Sequence, residues 1–135
     1  MFEVICRLPE AVGGTLMIFM IPVAASLPVL YGIYFFVVRR KEGWHKNPFA
    51  WPDLLAPVIA SIVWAVMVLT ITPYKSLANL VEPFGVGIAY CALWALRFWR
   101  FSCIANDKRK VAWNMLWIIC SVIASVALLT PCLPE

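Results

Sequence analysis

The stretch VGGTLMIFMIPVAASLPVLYGIYFFVV, residues 12–38, holds 27 residues without a single charged side chain. At a rise of about 1.5 Å per residue, a helix of this length would measure about 40 Å, which exceeds the ~30 Å hydrocarbon core of a bilayer. Pro22 and Pro28 lie inside the stretch, and each removes a backbone donor and clashes with the preceding turn. The stretch is too long for the apolar part of a signal peptide, and basic residues follow rather than precede it. It therefore predicts a membrane-spanning helix that bends or tilts.

The composition of the whole chain indicates the same class of protein. Of the 135 residues, 64% are hydrophobic and only 13% are charged. A soluble domain of this size could not bury so much apolar surface, because small domains leave a large share of their surface exposed. No stretch is polar or long enough to form a second domain, so we expect one integral membrane domain over residues 1–135.

Three further apolar runs, at about residues 54–71, 83–99 and 111–129, are suited to additional spanning helices. In the run at 83–99, Glu82 and Arg97 leave only a short strictly apolar stretch between them, so we expect Arg97 and Arg100 to extend toward the membrane surface and lengthen the span. None of the runs alternates between apolar and polar residues, as barrel strands do, and an isolated strand would leave backbone groups unpaired in lipid. The sequence thus predicts an all-α bundle of four transmembrane helices.

The basic residues indicate how this bundle is oriented. Nine of the eleven Lys and Arg residues lie in the connections that follow the first and third runs. By the positive-inside rule both connections are cytoplasmic and both termini are external, which for a bacterial inner membrane means periplasmic. We expect eight of the basic side chains to contact anionic lipid headgroups: Arg39, Arg40, Lys41, Arg97, Arg100, Lys108, Arg109 and Lys110. Nucleic acid is a much weaker interpretation for residues held this close to a bilayer.

Two cysteines lie near the ends of the chain, Cys6 in VICRLPE and Cys132 in LTPCLPE. The predicted orientation places both outside, where disulfides persist, so a bridge between them is one interpretation. It would hold the first helix against the fourth. Two free interfacial thiols are the simpler alternative, and a redox-active pair is a third, although no Cys-x-x-Cys motif or activating neighbour supports it.

Glu82 is the carboxylate closest to a hydrocarbon interior. One interpretation is a shallow membrane carboxylate that exchanges protons. The alternative, which we favour, is a residue at a helix N-terminus that is stabilised by the helix dipole and by Lys75 as a counter-charge. Asp53 has the same structural interpretation at the start of the second helix.

Small residues recur at a spacing of three or four along the last three runs, as they do where membrane helices approach closely. The predicted packing seam consists of Ser61, Ala65, Gly85, Ala89, Asn114, Ser121 and Ser125. Every helical bundle needs such a seam. Small residues on more than one side of the third helix also favour oligomerisation or docking to other subunits.

The sequence contains no pattern that specifies a reaction. His45 is the only histidine and has no neighbouring cluster of metal ligands, and no phosphate-binding glycine loop is present. We therefore predict no catalytic residue, cofactor or metal. The leading hypothesis is a non-enzymatic accessory, structural or assembly subunit of a larger membrane complex that acts through helix packing, with lipids and other membrane subunits or copies of itself as partners. The alternatives are a small oligomeric transporter or channel for a lipid-like or apolar solute, and a membrane thiol-disulfide protein that uses Cys6 and Cys132.

Overall fold

The computed structural model describes residues 2–33, 35–36, 50–72, 75, 77–101 and 108–131. These residues form an all-helical fold, as predicted. The four α-helices are α1 (Phe2–Ile33), α2 (Trp51–Thr70), α3 (Val81–Phe101) and α4 (Lys108–Leu129), and a short 3₁₀ helix at Leu77–Leu80 leads into α3.

Three of these helices are long and apolar enough to cross a membrane. The qualifying segments are Ile5–Ile33 within α1, the whole of α2 and the whole of α4. This is the pattern of an integral membrane protein. α3, which carries Glu82 and Arg97, is not among these three segments.

α1 differs most from its predicted bounds. It begins at Phe2 rather than near residue 12, and it is continuous through Pro9, Pro22 and Pro28. The sequence prediction started the helix where the charges end, but backbone groups near a membrane surface still need hydrogen-bond partners, and a helix provides them beyond the last charge. The predicted end of this helix at residue 38 lies outside the described residues.

The start of α2 agrees with the turn chemistry of its sequence. Pro52 occupies the first turn, where a missing N–H costs nothing. The Asp53 carboxylate accepts a hydrogen bond from the Ala50 N–H at 2.8 Å, and the Asp53 N–H donates to the Ala50 carbonyl at 3.0 Å. Asp53 lies at the helix start, as predicted, and it satisfies backbone groups there.

The four helices pack as a square in which α2 and α3 are diagonal. α1 contacts α2 and α3 extensively, whereas α4 packs mainly against α2 and less against α3. The core between them is formed by large side chains from all four helices: Phe19, Leu30, Trp64, Val86, Tyr90, Trp94, Met115, Leu116, Ile119 and Ile123. We call the end where α2 and α4 begin and α3 ends the Arg97 end, and the opposite end the Glu82 end.

The predicted seam is only partly used inside the bundle. Ser61 and Ala65 are fully buried on α2, and the Ser61 hydroxyl donates to the Pro57 carbonyl at 2.8 Å. On α4, in contrast, Asn114, Ser121 and Ser125 are all exposed. The buried face of α4 is instead Ala112, Met115, Leu116, Ile119, Ile123 and Ala127. This corrects the assignment of α4: larger aliphatic side chains face inward because they fill the space between helices.

The close approach between helices occurs at a glycine outside the predicted seam. A Cβ added to Gly87 would lie 2.6 Å from the Phe19 carbonyl oxygen and 2.7 Å from Cγ of Pro22, both on α1. A Cβ on Gly85 would meet nothing within 4 Å. Gly85 and Ala89 line a shallow groove between α3 and α4. α3 therefore approaches α1 closely at Gly87 and leaves open space at Gly85.

Candidate functional site

A buried ion pair lies at the Arg97 end. The Arg97 Nη1 atom is 2.8 Å from Asp53 Oδ1, and the two side chains are 6% and 4% exposed. The Tyr90 hydroxyl donates to the Asp53 backbone carbonyl at 3.0 Å, and the guanidinium lies 4.5 Å from the centre of the Trp94 ring. The carboxylate thus caps α2 and neutralises Arg97 at once.

Arg97 also reaches the start of α4. Its Nη2 donates to the Lys108 carbonyl at 3.4 Å, and its Nη1 lies 3.9 Å from the Met115 sulfur. One guanidinium on α3 therefore contacts both α2 and α4. This position differs from the predicted headgroup contact at the membrane surface. Sequence reasoning missed it because no local signal in the chain links Arg97 to Asp53, which lies 44 residues away.

Of the seven other residues that were predicted to contact headgroups, the structure describes three side chains. Lys108, Arg109 and Lys110 are exposed in the first turn of α4, at the Arg97 end. Arg39, Arg40, Lys41 and the side chain of Arg100 lie outside the described residues. Contact with lipid headgroups remains a prediction for all seven.

A second buried ion pair lies at the Glu82 end. Glu82 Oε1 accepts from Lys75 Nζ at 2.6 Å and from Asn79 Nδ2 at 2.8 Å, while Oε2 accepts from Trp64 Nε1 at 2.9 Å. The Glu82 and Lys75 side chains are 2% and 1% exposed. The favoured interpretation of Lys75 as the counter-charge is confirmed in this geometry. Three donors surround the carboxylate, so both of its oxygens accept hydrogen bonds.

Two members of this cluster were not predicted from the sequence. Asn79 also donates to the Pro131 carbonyl at 3.3 Å, and so connects the start of α3 to the end of α4. Its spacing of three from Glu82 is the one local signal that could have indicated the contact. Trp64 lies in the middle of an apolar run and carried no signal, because its N–H donor finds a partner only through tertiary packing.

An apolar cleft opens between α1, α2 and the middle of α3. Its volume is about 390 Å³. The residues that line it are Leu16, Met20, Val23, Leu27, Leu30, Tyr31, Asp53, Leu54, Pro57, Val58, Tyr90 and Trp94. No sequence pattern predicted this cleft, since it arises from the way three helices diverge.

The described residues do not test the possible bridge between Cys6 and Cys132. Cys6 is exposed and free, and Cys132 lies outside the described residues. The disulfide and the thiol-exchange hypothesis therefore stay predictions. Cys91 has a structural partner, since the Ser26 hydroxyl donates to its sulfur at 3.0 Å across the α1–α3 contact.

The described residues contain no group of three or more His, Cys, Asp or Glu side chains that could hold a metal ion. His45 lies outside them. Comparison of the chain with protein-family models, with curated proteins and with solved structures found no match.

Proposed function

We propose that this protein is a non-enzymatic membrane subunit that acts by helix packing, as an accessory, structural or assembly component of a larger membrane complex. In this proposal all four helices cross a bacterial inner membrane. The connections after α1 and α3 are cytoplasmic, and both termini are periplasmic. The supporting observation is the outer face of α4, defined by Asn114, Ser121 and Ser125, which the described residues of the bundle leave exposed.

The outer face of α4 is unusually polar for a surface in contact with lipid. The Ser121 and Ser125 hydroxyls donate to carbonyls four residues earlier, at 2.8 Å each, which reduces the cost of exposing them to hydrocarbon. Asn114 is longer and carries both donors and acceptors, and a neighbouring helix could satisfy these by interhelical hydrogen bonds. The small residues Ser121 and Ser125, two and three turns further along the same face, allow that helix to approach closely there.

The two ion pairs support a structural role for the charges of α3. Glu82 is engaged by three donors and Arg97 by a carboxylate, so both contribute to packing within the bundle. Their pairing also lowers the cost of placing α3 across a bilayer, because buried charges are tolerated when they are paired and hydrogen-bonded. The pairing of both charges therefore supports a fourth span and weighs against Glu82 as a proton carrier.

The orientation is tested by labelling Cys6 and Cys103 with a membrane-impermeant maleimide in intact cells under reducing conditions. The positive-inside rule predicts that Cys6 is labelled and Cys103 is protected until the cells are opened. The reverse pattern would overturn the orientation.

The subunit hypothesis is tested by purification in a mild detergent, with every co-purifying chain identified by mass spectrometry. We expect stoichiometric unrelated membrane subunits that are lost from the double variant Asn114→Leu, Ser125→Leu. Thr70→Leu is the matched control, because Thr70 is also an exposed hydroxyl residue bonded to its own helix, at 2.6 Å from the Val66 carbonyl. A particle that contains this chain alone would contradict the proposal.

The apolar cleft favours a second candidate, a small oligomeric transporter or channel for a lipid-like or apolar solute. Its lining would suit such a solute. If transport depended on a titratable carboxylate, Glu82→Gln would abolish it. Full activity of that variant in a transport assay would remove Glu82 from any coupling role.

A further inference from the structure

We propose that the apolar cleft binds one acyl chain of an anionic phospholipid from the leaflet at the Arg97 end, with the lipid headgroup beside the basic first turn of α4. This inference depends on the cleft and on the charges around its polar end. It is independent of whether the protein is a subunit or a transporter.

The cleft is confined to the Arg97 end on α2 but extends farther along α1. On α2 the lining runs from Asp53 to Val58, the first two turns. On α1 it runs from Leu16 to Tyr31, which corresponds to about 22 Å at 1.5 Å per residue, more than the ~15 Å depth of one leaflet. The mouth on the α2 side therefore lies in the leaflet at the Arg97 end, and the α1 wall continues deeper into the bundle.

The chemistry of the lining favours hydrocarbon over a polar solute. Most of the walls are aliphatic side chains from α1 and α2. The Tyr90 hydroxyl already donates to the Asp53 carbonyl, and the Asp53 carboxylate already accepts from Arg97 and from the Ala50 N–H. A polar molecule that entered the cleft would lose its hydrogen bonds to water and could not replace them with bonds to these groups. A methylene chain has no hydrogen bonds to lose.

The cleft is too small to enclose a whole protein helix. A helix about 10 Å across and 22 Å long occupies roughly 1,700 Å³, which exceeds the volume of the cleft. The cleft holds about 390 Å³, which lies within the range of small-molecule sites. A single flexible chain is the membrane component that fits a long, narrow and apolar space of this size.

The charges at the Arg97 end favour an anionic headgroup. Asp53 lines the cleft, but its charge is neutralised by Arg97 and would not repel a phosphate. Arg97 in turn contacts the Lys108 carbonyl, which places the first turn of α4 at this same end. Lys108, Arg109 and Lys110 are exposed there, and basic clusters at a membrane surface attract anionic lipids.

The experiment compares lipid retention in two variants that add the same bulk at different places on α2. Val58→Trp fills the cleft, whereas Val66→Trp adds the ring outside it; the two valines are 37% and 40% exposed. The proteins are purified in mild detergent from membranes with a defined mixture of phosphatidylglycerol and phosphatidylethanolamine, and bound lipid is measured by native mass spectrometry.

We expect wild type and Val66→Trp to retain one phosphatidylglycerol per chain. The amount of lipid bound to Val58→Trp should be lower by a factor of about ten or more, because the ring occupies the space of several methylenes. If Val58→Trp fails to fold, Leu27→Trp fills the cleft from the α1 wall and replaces it. The double variant Arg109→Gln, Lys110→Gln should keep a lipid but lose the preference for phosphatidylglycerol. Equal retention in Val58→Trp and Val66→Trp, or a retained molecule that is not a phospholipid, would overturn the proposal.

Discussion

The two buried ion pairs occupy opposite ends of the bundle and are built in different ways. At the Arg97 end, the partners lie 44 residues apart and join α3 to α2 directly. At the Glu82 end, Lys75 and Glu82 lie seven residues apart within the connection into α3, and the link to α2 is made by the Trp64 N–H. Both ends thus connect the diagonal helices α2 and α3, but only one does so through two opposite charges.

This difference has an energetic consequence. Arg97 is fixed within α3 and contacts groups on both α2 and α4, so loss of its partner would leave a charge in the interior. Lys75 lies outside α2 and α3 and carries a flexible stem, so loss of its partner allows the ammonium to move toward the membrane surface. We therefore expect the Arg97 end to be the more sensitive to substitution.

The largest effect is expected for Arg97→Met. It leaves the Asp53 carboxylate buried without a counter-charge and should lower the free energy of unfolding by about 3–5 kcal/mol. The double variant Asp53→Asn, Arg97→Met should recover most of this loss, since the amide can still accept from the Ala50 N–H. Unfolding in mixed detergent and SDS micelles measures both. A double variant no more stable than Arg97→Met would show that the charge pair is not the cause.

Gly87→Ala tests the region between the two ends, where neither ion pair acts. Its methyl group would meet the Phe19 carbonyl oxygen, so α1 must shift, and we expect a loss of about 1–3 kcal/mol. The thiol of Cys91, which contacts Ser26 of α1, should then react faster with a maleimide. Gly85→Ala is the control and should be neutral or slightly stabilising. Similar losses in both variants would contradict the assigned contact.

Glu82→Gln should cost less than Arg97→Met, about 1–2 kcal/mol, because the amide oxygen can still accept one hydrogen bond and Lys75 can move toward water. The same unfolding titration compares the two variants directly. Adding Lys75→Met to Glu82→Gln should restore part of the loss. If Glu82→Gln lowered the free energy of unfolding as much as Arg97→Met, the Arg97 end would not be the more sensitive of the two.

Trp64→Phe should have the smallest effect, about 1 kcal/mol, since it removes one hydrogen bond to Glu82 while Lys75 and Asn79 still engage the carboxylate. Its effect should largely disappear when Glu82→Gln is already present, because neighbouring residues in one network are not additive. Trp113→Phe, whose ring packs edge-on against Trp51 at the opposite end, is the control and should stay additive with Glu82→Gln.

Local and long-range features of this protein differed in how well the sequence predicted them. The position of Asp53 at the start of α2 and the pairing of Lys75 with Glu82 involve residues close together in the chain, and both were predicted. The burial of Arg97 and the close approach at Gly87 depend on residues far apart in sequence, and neither of them was predicted. The α4 seam was placed on Asn114, Ser121 and Ser125, whereas α4 packs inside the bundle through aliphatic residues. Large apolar residues also occur on the exposed side of α4, so their periodicity could not identify its inner face.

The sequence by itself determined the class of this protein, an all-helical membrane chain, since length and hydropathy alone decide whether a helix suits a bilayer. It predicted four spanning helices, and three helices of the structure are long and apolar enough to cross a membrane. The tertiary structure decided which charges pair, which glycine allows close contact, which face of α4 stays open and where the cleft lies. These depend on how the helices are arranged around one another. When every helix is apolar, hydrophobicity no longer distinguishes inside from outside, and only side-chain shape and the few polar partners do.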